Sequence, residues 1–418
     1  MRTGAGCACV AVCFLLSSCT PPEPRARLPI DGRIASEIAR IKAIDNHAHP
    51  GRLLNQGESD PDVDALPVEM MEPYDSLPAR LRPESFQQAR QAMQGKTQAM
   101  RDQGDAYPAW VLDRLGIDIM MANRVSMGRG LANSRFKWIP FADPFMYPLN
   151  NDALAAHDPD RKAFFTAEAK LLDRYLAETG TAARPTALPA YQAAITSSLE
   201  RWKAAGAVGV KFEMAYLRSL KVERVSEEDA KRAFSGAGDY RALQDYLFRF
   251  IAAECGRLKL PIQIHTGMGA GRYYNTTGGN PANLIEIVTD PSLKSTQFIL
   301  VHGGWPFAEE ASAMLAIPNV WLDFSIQTLF HPPRKLSQIV RQYVSYVPEK
   351  VLFGTDSGPF GEGIGWEETG WASANTARQS LGLALSDMVR DGEITRDRAL
   401  HIVHMVMRDN ARRLYGLP

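Results

Sequence analysis

From Lys42 onward the chain keeps returning to one rhythm: a short apolar or β-branched run, a polar turn, then a stretch long enough for a helix. The runs are Lys42–Asn46, Ile117–Ala122, Trp138–Ala142, Val208–Glu213, Pro261–Thr266, Phe298–Val301, Val320–Phe324 and Val351–Thr355. Most are apolar throughout rather than alternating, as strands buried on both faces of a parallel sheet are. Helix-length stretches between them include Tyr240–Leu258, with Arg241, Asp245 and Arg249 on one side, Phe307–Ala316 and Pro333–Tyr346. Eight such units predict an α/β fold, a (β/α)8 TIM barrel, with a doubly wound open sheet as the lesser alternative. Two connections exceed the needs of a bare barrel: Pro50 to Leu115 after the first strand, and Pro148 to Gly206 after the third. Both are read as helical insertions, leaving from the strand ends where barrel enzymes grow specificity loops and lids. The stretch Arg124–Lys137 is short for a full helix and is the weak point of the eightfold pattern.

Composition narrows the class. Lys plus Arg and Asp plus Glu both number 47 in 418 residues, so the formal charge is zero and no basic excess favours a nucleic-acid partner. The hydrophobic fraction of 45% is that of a globular chain rather than a disordered or multi-span one. Four of the five cysteines (Cys7, Cys9, Cys13 and Cys19) fall in the first twenty residues, leaving Cys255 alone in the body. Residues 1–18 read as a lipoprotein signal peptide, with Arg2 followed by the apolar run Ala8–Leu16, too short to span a bilayer. The sequence Leu16-Ser17-Ser18-Cys19 resembles the lipobox of bacterial lipoproteins, which implies cleavage before Cys19 and lipidation of that residue. Residues 19–40 are read as the lipidated cysteine and a proline-rich tether, and 41–418 as one barrel domain. Thr20 rather than Asp after the cysteine favours the outer membrane in such lipoproteins. The expected location is therefore the periplasmic face of the outer membrane, with membrane contact through the lipid alone; the alternative is a plain secretory signal. The sequence carries no signal of oligomeric state.

Eight histidines occur, and four of them sit at C-terminal ends of predicted strands. The first strand ends in Asn46-His47-Ala48-His49, where residues two apart in an extended chain point the same way. The fifth ends at His265, the sixth at His302, and the eighth at Thr355-Asp356. Each imidazole alone has an ordinary reading as a hydrogen-bonded core residue. Neutral nitrogens and a carboxylate at equivalent strand ends are instead the ligand set that a borderline divalent ion wants, zinc above all. His157, His331, His401 and His404 have no such placement and are read as surface or packing residues.

This set resembles the amidohydrolase superfamily of metal-dependent barrel hydrolases. Within it the chain is most similar to the amidohydrolase-related group that holds aminocarboxymuconate semialdehyde decarboxylase and FluG-type domains. Supporting segments are Val208-Gly-Val-Lys211, Ile264-His-Thr-Gly-Met-Gly269, Val320-Trp-Leu-Asp-Phe324 and Asn410-Ala-Arg-Arg-Leu-Tyr415. The resemblance implies that His47, His49 and His265 bind the main metal, and that Asp356 ligates it and takes a proton from the water it activates. His302 would bind a second metal or hydrogen-bond the attacking water and developing oxyanion. Lys211 would be carboxylated and bridge two ions in a two-metal member, or remain an ordinary lysine paired with substrate or Glu213. Tyr216 and Arg218 resemble the Tyr-Arg pair of FluG-type domains, where Arg218 would suit a substrate carboxylate. Arg272, Tyr273, Tyr274 and Trp305 are further candidates for the pocket lining. The glycine-rich stretches Gly267–Gly271 and Gly278-Gly279 lack a following Lys-Ser/Thr pair, so no nucleotide-binding loop is read.

The expected activity is metal-dependent hydrolysis of a C–N or C–O bond in a small carbonyl compound. The alternative keeps the site but makes the protein a one-metal, non-oxidative decarboxylase. A silent binding lipoprotein is the third reading, and the intact ligand set argues against it.

Overall fold

A computed structural model describes Met1 and residues 29–417, except 56, 68–76, 158, 182, 270, 272–273 and 360–362. The signal peptide beyond Met1, Cys19, Arg272 and Tyr273 therefore lie outside the described residues. Eight strands form: β1 (Ala43–Ala48), β2 (Ile117–Asn123), β3 (Phe136–Ile139), β4 (Val210–Phe212), β5 (Ile262–His265), β6 (Phe298–Val301), β7 (Val320–Asp323) and β8 (Val351–Leu352). They make one parallel sheet in the order β1-β2-β3 and a second in the order β4-β5-β6-β7-β8. Main-chain bonds also join the sheet edges. Between β3 and β4, Val208 N donates to Trp138 O at 3.0 Å and Lys211 N to Pro140 O at 2.8 Å. Between β8 and β1, Asn46 N donates to Phe353 O at 2.9 Å and Asp356 N to His47 O at 2.8 Å.

The apolar runs become strands buried on both faces, and the alternation of side chains then sorts them into two cores. Ile44, Met121, Ile139, Ile299, Val301, Trp321 and Leu352 gather into one cluster with Ala411 of the C-terminal helix. Their strand neighbours Ala43, Met120, Ile262, Ile264, Leu300 and Leu322 join the larger core under the helices. The helix Tyr240–Leu258 shows how these form: Asp239 accepts from Arg241 N as its cap, and Leu243, Leu247, Ile251 and Cys255 are buried at a four-residue spacing. Burying one such leucine contributes about 1.5–3 kcal/mol. Cys255 is a free, buried thiol.

The weak point of the eightfold pattern is where it was read, and one expectation is corrected. The stretch between β2 and β3 contains no helix, so one of the eight β-α units lacks its helical half. It is instead held by side chains, with Arg135 donating to the carbonyls of Ile117, Asp118 and Ala109. Residues 32–40, read as tether, form the helix Gly32–Arg40: Asp31 caps it, and Ile34 and Ile38 are buried one turn apart. The long connection after β1 carries helices Leu77–Leu81, Pro83–Ala92, Lys96–Gln103 and Tyr107–Leu115, and that after β3 carries Asp152–His157, Lys162–Glu178 and Leu188–Ala204. Among the described residues no helix is long and apolar enough to cross a membrane.

Candidate metal centre

Backbone pairing between β1 and β8 places His47 and Asp356 side by side. His47 Nε2 lies 3.0 Å from Asp356 Oδ1, and His49 Nε2 lies 3.6 Å from the same oxygen. The ligand atoms of His47, His49 and Asp356 all fall within 4.8 Å of one another, and all three residues are buried. Asp45, one residue pair below, ties the two segments together: it accepts from His47 N, Thr355 N and Thr355 Oγ1 at 3.2, 2.9 and 2.5 Å. Asp356 adopts a left-handed backbone (φ 54°), as does His302 (φ 69°), a strain of about 1–3 kcal/mol at each that aims both side chains out of their strand ends.

Protons at this centre can be located from the hydrogen-bond partners. Gln263 Nε2 donates to Asn46 O at 2.6 Å and to Tyr415 Oη at 2.9 Å, which fixes Gln263 Oε1 as an acceptor. His47 Nδ1 lies 3.1 Å from that Oε1 and 3.1 Å from Asn123 Oδ1, so Nδ1 carries the proton and Nε2 is bare. Burial, and then the charge of Lys211, hold the His47 imidazole below its usual range, so it stays neutral. A bare nitrogen therefore faces a carboxylate oxygen at hydrogen-bond distance with no proton to share. Burial raises the Asp356 carboxyl, and positive charge at this point, on His302 first or on a cation in its place, outweighs burial and holds the group well below the ordinary carboxylate range. The donor set fits a divalent cation: two imidazoles and a carboxylate, buried, with their ligand atoms gathered about a common point.

The other half of the predicted set is built differently. His302 Nδ1 lies 2.9 Å from Ser325 Oγ, whose own proton goes to Asp323 Oδ1 at 2.5 Å. Ser325 Oγ is thus the acceptor, His302 carries its proton on Nδ1, and Nε2 is again bare. Asp323 also accepts from His302 N and Asn46 Nδ2, linking β7 to β6 and β1. His265 Nε2 lies 2.8 Å from Met268 O and donates there, leaving Nδ1 as its free lone pair. Burial and the Lys211 charge push the His265 imidazole down to about 3. His265 and His302 rings lie 4.6 Å apart, and His302 lies 5.3 Å from His47, yet neither belongs to the tight triad. Lys211 is fully buried, with Nζ 3.2 Å from His47 Nε2 and 3.8 Å from Glu213 Oε1.

The predicted substrate residues fare unevenly. Arg218 is turned into the protein: Nε donates to Ser219 O, Nη1 to Gln244, and Nη2 to Lys221 O and Asp245. With every guanidinium nitrogen engaged in buried structure, a role in gripping a substrate carboxylate gives way to one in holding its loop on the helix Tyr240–Leu258. Tyr216 is buried with its ring 4.8 Å from His265 and 4.9 Å from Tyr274, so it packs beside the centre. Trp305 stacks edge-on against His331 at 4.7 Å, which gives that histidine the packing role expected of it. Gly267 is required where the loops after β5 and β6 meet, since a Cβ there would lie 2.2 Å from Trp305 O.

Sequence reasoning missed Asp64. Its Oδ2 lies 3.0 Å from His49 Nδ1, and it sits with Glu213 and His49 in a second group of potential ligand atoms within 4.8 Å. The available signal was the alternating run Asp60-Pro-Asp62-Val-Asp64 inside the first long connection. Burial raises the carboxyls of Glu213 and Glu168 well above their usual range and that of Asp143 to about 7.

A parallel α/β chain with strand-end histidines and a carboxylate converging on one point has the architecture of a metal-dependent hydrolase. The amidohydrolase family model matches residues 132–417, most of the chain, and the protein belongs to that family. Protein fluG of Emericella nidulans is 25% identical over 229 residues, a match covering 50% of this chain and 26% of fluG. The chain thus spans about a quarter of that relative's length. A protein of Lactobacillus casei ATCC 334 assigned to the metal-dependent hydrolases superposes with a TM-score of 0.62 at 16% identity, covering 92% of this chain and 97% of that one. Glucuronate isomerase from Caulobacter crescentus gives 0.59 at 12% identity, covering 92% and 93%. These two likenesses are of fold.

Proposed function

We propose that the protein is a hydrolase of small carbonyl compounds, cleaving a C–N or C–O bond at a divalent cation, zinc first, held by His47, His49 and Asp356. The observation that carries this is the convergence of His47, His49 and Asp356, whose ligand atoms lie within 4.8 Å of one another in a buried group, with His47 Nε2 3.0 Å from the carboxylate. The bonds joining both sheet edges, and the inner cluster fed by alternate residues of six strands, support a closed (β/α)8 barrel with helical insertions after β1 and β3. When bound, the ion supplies Lewis acidity and lowers the pKa of water toward about 7.

The chain's own groups then divide the remaining work. Asp356, ionised and at the mouth, accepts the proton of the attacking water and returns it to the leaving group. His302, bare at Nε2 and locked by Ser325 and Asp323, accepts a hydrogen bond and so orients that water rather than donating to an oxyanion. Lys211 stands buried 3.2 Å from His47 Nε2 on the floor of the site, and an ion bound there would take over that nitrogen's single lone pair. The aromatic rings of Tyr216 and Tyr274 beside His265 shield it from bulk solvent.

Elemental analysis of purified protein should find about one zinc per chain, and a panel of lactones, amides and esters should reveal turnover that a chelator abolishes and zinc restores. Full turnover by metal-free protein would overturn the reading. Cys19 is proposed as the lipid attachment point of an exported enzyme, supported by the apolar run and lipobox before it. Cys19→Ser should release the protein from membranes; continued retention would rule the anchor out.

A further inference from the structure

The segment Asp60–Asp64 crosses close to the centre and is tied down by alternate side chains. Asp60 Oδ1 accepts from Arg124 Nη2 at 2.8 Å, and Arg124 is fully buried and also donates to Pro50 O at 2.7 Å. Asp62 accepts from Ser126 Oγ at 2.5 Å and from Arg174 Nη1 at 2.7 Å, while its carbonyl accepts from Val125 N at 3.0 Å. The third of the series, Asp64, reaches inward to His49 Nδ1 at 3.0 Å, with side-chain exposures of only 9% and 10%. His49 Nδ1 is buried and makes no hydrogen bond of good geometry elsewhere or here, so the Asp64 carboxylate at 3.0 Å is the acceptor within its reach, and Glu213 offers a ligand atom within 4.8 Å of both.

We infer that Asp64 is a positioning residue for the metal centre: it takes the Nδ1 proton of His49, fixes that tautomer and ring plane, and so presents a bare Nε2 to the cation. This rests on the proposed metal site but goes beyond it, since the residue touches neither ion nor substrate. An imidazole has two nitrogens and, when neutral, one proton. Without an acceptor at Nδ1 the proton is free to sit on Nε2, where it blocks ligation and is drawn to Asp356 at 3.6 Å. An ionised partner at Nδ1 also makes the ligating nitrogen more basic. The same chemistry argues against a second cation between His49, Asp64 and Glu213, because His49 would have to lose both protons to bind an ion on each side. The strap therefore belongs to the metal centre although it lies in a connection rather than at a strand end.

The test is zinc affinity of the full chain, measured by competition with a chromophoric chelator, alongside the melting temperature of the metal-free protein. Asp64→Asn should weaken zinc binding about 10–100-fold, the range for loss of such a partner, with the metal-free melting temperature unchanged. Asp64→Glu should recover part of the affinity. Asp62→Asn, in the same strap but facing Ser126 and Arg174, should leave affinity within about twofold. Wild-type affinity in Asp64→Asn, or an equal loss in Asp62→Asn, would overturn the inference while leaving the metal site standing. A wild-type protein that binds no zinc would instead remove the site itself.

Discussion

His47 and His49 on β1 and His265 and His302 on β5 and β6 are the same residue type at corresponding strand ends, yet the fold uses the two pairs differently. The β1 pair converges with Asp356 inside 4.8 Å, each Nε2 placed beside one carboxylate oxygen, at 3.0 and 3.6 Å. The β5–β6 pair stands 4.6 Å apart ring to ring, with one nitrogen of each committed to Met268 O or Ser325 Oγ. The difference follows from the neighbours. β8 brings a carboxylate beside β1, whereas β7 brings Asp323 and Ser325, which engage the back of His302 rather than its front. One side of the mouth is thus shaped to hold a charge and the other to orient what approaches it.

That asymmetry can be broken experimentally. Asp356→Asn should lower kcat by about 10²–10⁴-fold while circular dichroism and the metal-free melting temperature stay as in the wild type; activity within tenfold of normal would dissolve the assignment. Paired alanine variants come next. His47→Ala should abolish tight binding of the first zinc, and His302→Ala should keep that zinc while kcat falls about 10²-fold, as chelator competition and steady-state kinetics would show. Equal losses of affinity would mean the two sides are equivalent after all.

Lys211→Gln sharpens the comparison further. With a single ion on the β1–β8 side, elemental analysis should find the zinc content unchanged; loss of a second equivalent would restore the carboxylated, two-metal reading. The smallest effect expected is on stability. His265 titrates near 6.5 unfolded and at about 3 folded, so between those values the unfolded chain binds the extra proton. Metal-free protein should therefore lose stability as pH falls from about 6.5 toward about 3, with no contribution from this group above 6.5. His265→Asn should flatten that part of a melting-temperature profile; an unchanged slope would mean the imidazole is not held neutral by burial.

The strands were readable because a run buried on both faces is written in consecutive residues, and β6 (Phe298–Val301) falls where the apolar run does. The helix Tyr240–Leu258 was equally plain from its spacing. The helix Gly32–Arg40 was hidden by the proline-rich residues before it, since only docking shows that Ile34 and Ile38 have something to pack on. Arg218 illustrates the opposite failure: a residue that looks made for a carboxylate ligand is consumed by Asp245 and Gln244 on a neighbouring helix.

The sequence by itself determined the α/β class, the rhythm of eight strands and the ligand types at their ends, because side-chain periodicity and residue chemistry are local properties. The tertiary structure alone decided which nitrogen of each imidazole is bare, which histidines share a point with Asp356, and that Asp64 stands behind His49. Those depend on partners far apart in the chain. The proton on His47 is fixed by Gln263, 216 residues away, and only the packed fold brings the two within 3.1 Å.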